Sequence, residues 1–158
     1  MQASSISVIK KELQNLPLAQ LVELCVTLAK YKKDNKELFD YLLFRAHDEA
    51  AFLQLIKEEV SEQFELMNLD SMFYVKKSLR KILRIITKYS KYSNQSTTGI
   101  ELLLHFCNLI KESNIDYKYN ITIANLYQNQ IKKVQKEIAK LHEDLQFDYE
   151  QEVENLLA

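Results

Sequence analysis

The sharpest pattern of apolar and polar positions in the chain lies at residues 70–92, DSMFYVKKSLRKILRIITKYSKY. Placed on a helix at ~100° per residue, Lys76, Lys77, Arg80, Lys81, Arg84, Lys88 and Lys91 fall within an arc of roughly 140°. Met72, Val75, Leu79, Ile82, Leu83, Ile85, Ile86 and Tyr89 fill most of the opposite half. Charge and apolar surface sorted in this way define an amphipathic helix with one side in a core and the other in water.

The same period recurs on either side. Residues 4–15 open on Ser4, Ser5 and Ser7, which suit an N-cap, and continue as a short helix. Pro17 fits the first position of a helix over 17–32, with Leu18, Leu21, Val22, Cys25 and Ala29 on one face. Asp34 and Glu37 read as a capping box before a helix over 35–46 that carries Leu38, Phe39, Leu42 and Leu43. A helix over 48–67 has Leu53, Ile56, Val60, Phe64 and Met67 as its core face and Glu58, Glu59, Glu62 and Glu65 outward. After the basic helix, SNQSTTG at 93–99 reads as a flexible loop, 99–113 as the most buried helix, and 113–120 as a connector.

The last stretch, 121–157, contains neither Gly nor Pro. Tyr127, Ile131, Val134, Ile138, Leu141 and Leu145 follow at spacings of 4, 3, 4, 3 and 4, a coiled-coil-like seam that suits self-association. As one helix the stretch spans ~50 Å, against roughly 40 Å for a compact domain of this size. Either it breaks near Asp144–Asp148, or it projects and pairs with another copy; a break or bend is the favoured form.

Composition supports helices throughout. One Gly and one Pro in 158 residues leave little material for hairpins and tight turns. At 47% hydrophobic and 27% charged residues the chain is globular. The expectation is a single all-α domain over 1–158, with six to eight helices stacked as antiparallel hairpins in a bundle or short α–α array. The N-terminus lacks the pattern of a signal peptide, and the most apolar run, 100–110, is too short to span a bilayer. Cys25 and Cys107 sit in apolar helical patterns and read as reduced core residues. These features imply a cytoplasmic protein with no membrane partner.

Lys10, Leu13, Leu16–Pro17, Leu21–Val22–Glu23–Leu24, Leu28, Glu37 and Tyr41–Leu42 resemble the opening of a family of small bacterial all-helical proteins known as a domain of unknown function. The similarity covers roughly residues 9–66 and rests on leucine spacing. It implies helical hairpins and a bacterial origin, and it brings no catalytic residues.

Candidate chemistry is sparse. Phosphate-cradling loops and nucleophile elbows need several glycines, so a Walker A loop, GxGxxG and GxSxG are all excluded. His47, His105 and His142 lie in separate segments, with no HExxH or ExxH among them. Glu101 and His105 share a helix face at i and i+4, which reads as a helix-start Glu with a hydrogen-bonded His rather than a metal or acid–base site. His105 and Cys107, two residues apart, fall on nearly opposite faces. No catalytic residue, metal or cofactor is therefore expected.

The basic helix remains as the binding candidate. Its seven cations suit a nucleic acid or other polyanion, with Tyr74 and Tyr92 at the margin for stacking. Two internal partners compete: the acidic face of 48–67, and the acidic tail (Glu143, Asp144, Asp148, Glu150, Glu152, Glu154). The leading expectation is a non-enzymatic helical protein-interaction module, with a homodimer through 121–157 as one form of it. Polyanion binding through 70–92 is the alternative.

Overall fold

The computed structural model describes residues 2–93 and 95–158. Among these residues the chain is all-α, with no strand. Its helices are α1 (Ile6–Gln14), α2 (Leu18–Tyr31), α3 (Lys33–Asp40), a π-helical turn (Tyr41–Arg45), α4 (Glu49–Glu65), α5 (Met72–Tyr92), α6 (Ser96–Glu112), α7 (Ile121–Ile138) and α8 (Glu143–Leu157). The single domain expected over 1–158 resolves into two compact units, Met1–Arg45 and Ala46–Ala158.

In the N-terminal unit, Ser5 caps α1 by accepting from the Val8 N–H, as the serine cluster suggests. Pro17 is the N-cap of α2 rather than its first residue. α3 starts at Lys33, ahead of the expected capping box. Asp34 therefore lies inside its first turn, and Glu37 pairs with Lys33 at 3.5 Å. α2 packs against α3, and the Asn35 Nδ2 donates to the Leu28 carbonyl at 2.8 Å to fasten their junction. α3 then widens into the π-helical turn, closed by the Arg45–Asp40 ion pair at 2.8 Å.

The apolar faces expected to be core here are not. No residue of α1, α2 or α3 is buried. Leu18, Val22 and Cys25 are exposed, as are Leu42 and Leu43, while Leu21, Ala29, Leu38 and Phe39 are only half-buried. Among the described residues of this unit only Tyr41, in the π-helical turn, is buried, because a unit this small has few neighbours to cover each face.

The C-terminal unit has an interior. α6 is its centre and packs against α4, α5, α7 and α8. Its buried positions Ile100, Leu102, Leu103, Leu104, Phe106, Cys107 and Ile110 cover an arc of about 200°, and Glu101, His105, Asn108 and Glu112 occupy the remaining side. α4 contributes Phe52, Ile56 and Val60 at i, i+4 and i+8, with Leu53 and Phe64 half-buried at its edge. Asp48 caps α4 through the Ala51 N–H at 3.0 Å, and Ser71 caps α5 through Tyr74. α5 buries Val75, Leu79, Ile82 and Ile86 of its expected apolar half, with Leu83, Ile85 and Tyr89 half-buried and Met72 exposed at its start.

Two local readings change. Most of the expected loop 93–99 belongs to α6, which begins at Ser96. Ser93 and Thr98 are buried, and both donate to the Glu49 carboxylate (Thr98 at 2.6 Å). Asn94 lies outside the described residues. The stretch 121–157 does break, but at Ala139–His142, before the acidic cluster, and His142 caps α8. The connector 113–120 holds one buried residue, Ile115.

Candidate interaction surfaces

α5 presents its cations outward. Lys77, Arg80, Lys81, Arg84 and Lys91 are exposed, and Lys76 and Lys88 are half-buried. For five of the seven, neither expected internal partner is engaged among the described residues. Lys81 Nζ donates to the Gln63 Oε1 at 2.7 Å, and Lys88 lies over the Tyr89 ring at 4.4 Å. Lys76, Lys77, Arg80, Arg84 and Lys91 have no hydrogen-bond or ion-pair partner among the described residues. The acidic side of α4 stays apart: Glu58 accepts from Gln54 at 2.9 Å, and Glu62 and Glu65 are exposed. α8 carries its acids on a helix that packs on α6 and α7, where Asp144 meets His142 at 3.4 Å.

The aromatic margin of this face differs from the expected one. Tyr74 is exposed, but Tyr92 is buried edge-on to Tyr89 (centroids 5.6 Å apart) and cannot stack on a ligand. Phe73 takes its place. It is 69% exposed beside Tyr74, with ring centroids 5.6 Å apart. Its register was the available signal: Phe73 precedes Lys77 by one helical turn and heads the same stripe.

The seam expected for self-association faces inward. Tyr127, Ile131, Val134 and Ile138 are all at most 2% exposed, packed where α7 meets α6 and α8. Tyr127 also donates its hydroxyl to the Leu156 carbonyl at 3.0 Å, and burial raises its pKa above the usual phenol range. The break at 139–142 folds α8 back over the seam, so these four side chains are unavailable to a second copy. Leu141 is half-buried and Leu145 is exposed beyond the break.

The polar group on α6 is a tie between helices. Lys57 Nζ of α4 meets Glu101 Oε2 at 2.8 Å, and Tyr149 of α8 donates to Glu101 Oε1 at 3.1 Å. Both carboxylate oxygens are thus engaged. Burial, then the Glu101 charge, pushes Tyr149 up to about 12. One turn on, His105 Nε2 sits 2.8 Å from the Ser61 Oγ. Burial and then the Lys57 charge hold its pKa below the usual 6.5, so the ring is neutral near pH 7. A Ser–His pair at this distance is nucleophile–base geometry, but the carboxylate one turn before it, Glu101, faces Lys57 and Tyr149 and does not orient His105. Cys107 is fully buried and pushed up to about 12 by that burial, so it stays a thiol. Cys25 is exposed. Among the described residues no three His, Cys, Asp or Glu side chains converge on a metal-sized site, and no helix is long and apolar enough to cross a membrane.

The surface that sequence reasoning did not identify is α2. Its apolar residues occupy most of its circumference, yet Leu18 is 77% exposed, Leu28 54% and Val22 53%. In sequence this pattern is indistinguishable from a core helix; only the neighbours decide. Compared with known proteins, the chain matches no family model, no curated protein and no solved structure.

Proposed function

We propose that this chain is a non-enzymatic, cytoplasmic helical interaction module that self-associates through α2. The observation that carries this reading is a helix with ten apolar residues of fourteen, none of them buried. Exposed apolar surface of this extent is unfavourable in water and is relieved by covering it with another surface.

A second copy fits that face. On α2 the polar residues Gln20, Glu23, Thr27 and Lys30 form one stripe, flanked by Val22 and Val26. Glu23 and Lys30 lie at equal heights on either side of a point between Val26 and Thr27. Two antiparallel α2 helices related by a two-fold axis there bring Glu23 of each copy beside Lys30 of the other. Val22, Val26 and both charges then share the same symmetric contact.

Light scattering coupled to size exclusion tests the reading. The full chain is expected to run as a dimer at micromolar concentration, and Val22→Glu as a monomer. Glu23→Lys is expected to weaken the dimer and the double variant Glu23→Lys with Lys30→Glu to restore it. A wild-type chain that stays monomeric at high micromolar concentration refutes self-association.

A further inference from the structure

We propose that the outward face of α5 is a binding surface for single-stranded nucleic acid. The inference is independent of self-association through α2 and rests on other residues. Lys77, Arg80, Arg84 and Lys91 form one exposed stripe at i, i+3, i+7 and i+14, and Lys76 lies beside it. At ~1.5 Å per residue, Lys77 to Lys91 spans about 21 Å of helix. None of these five cations is neutralised among the described residues, although an acidic helix lies next to α5. A row of unpaired cations complements a row of phosphates, and the guanidinium groups of Arg80 and Arg84 suit two-point contacts to phosphate oxygens.

The head of the stripe selects among polyanions. Phe73 and Tyr74 expose two aromatic rings, 69% and 47%, within one turn of Lys77. A single strand offers unstacked bases to such rings, whereas a duplex keeps its base faces covered. An acidic polypeptide has no comparable ring faces to stack. A lipid surface fits less well, because an interfacial helix must insert its apolar side, and Val75, Leu79, Ile82 and Ile86 are at most 1% exposed in the core.

Fluorescence anisotropy with labelled single strands of about 20 nucleotides, DNA and RNA, in roughly 50 mM salt tests this with the full chain. A slope of log K against log salt of about −3 is expected, from four to five phosphates at roughly −0.7 each. Arg80→Glu with Arg84→Glu should weaken binding at least ~100-fold and flatten that slope. Phe73→Ala with Tyr74→Ala should weaken it at least ~10-fold and leave the slope unchanged. All four side chains are exposed, so circular-dichroism melting of both variants should match wild type. Absence of binding overturns the proposal. So does equal or tighter binding to a duplex, to polyglutamate or to anionic vesicles, or wild-type affinity in either double variant.

Discussion

α2 and α6 are the two most apolar helices of the chain, and they meet opposite fates. Four helices surround α6, and seven of its apolar side chains are buried. α2 has α3 beside it, and none of its residues is buried. The difference lies in the number of neighbours each unit can supply, not in the helices' own composition. A central helix in a five-helix unit can bury more than half of its circumference, and α6 leaves to water the side that carries Asn108 and Glu112. A helix in a unit of about 45 residues keeps most of its circumference in water unless another molecule covers it.

The comparison breaks most visibly at Phe106, the fully buried aromatic of α6. Phe106→Ala is expected to cost ~3–5 kcal/mol of urea-measured stability, through lost burial and the cavity left behind. Leu18→Ala in α2 removes a side chain of similar character and is expected to change the stability of a monomeric chain by only about 0.5 kcal/mol. Comparable losses at both positions would show that α2 is covered in solution by the chain itself.

The polar tie around α6 sharpens the contrast at smaller scale. Lys57→Met leaves Glu101 with Tyr149 alone and should cost about 1 kcal/mol by denaturant titration, since both charges keep roughly a third of their exposure and some solvent screening. No effect beyond error would mean that the pair merely decorates the helices.

His105 gives the smallest effect and a definite sign. Its folded pKa lies below the ordinary 6.5, so the unfolded chain binds the proton more readily. Its contribution to stability is intact above pH 6.5. It is lost as pH falls below that value and stops falling once the folded ring also titrates. Denaturation midpoints of wild type and His105→Gln should therefore converge towards pH 5.5, having differed at pH 7.5, with wild type losing more; parallel curves would refute the shift.

Much of the helical architecture was legible in residue order, because a helix is specified locally. The 3.6-residue apolar period of α5, the cap at Ser5, and the scarcity of Gly and Pro each act within a few residues of where they stand. The sorting of cations against apolar residues on α5 was equally legible, and its buried half packs as the pattern requires.

Tertiary structure decided which apolar faces are used. The period of the 121–145 seam permits either a partner chain or the chain's own α6 and α8; the reversal at Ala139–His142 selected the latter. The fate of the α5 charges also lay beyond sequence. Pairing with the α4 glutamates depends on side chains meeting within about 4 Å, a condition that adjacency in the chain does not impose. Tyr92 turned inward and Phe73 outward for the same reason, since helix rotation against α4 and α6 sets which edge residues water reaches. Sequence thus specified helices and their two-sidedness, which are local properties. Burial and charge pairing are relations between distant residues, and they were determined only when the helices packed.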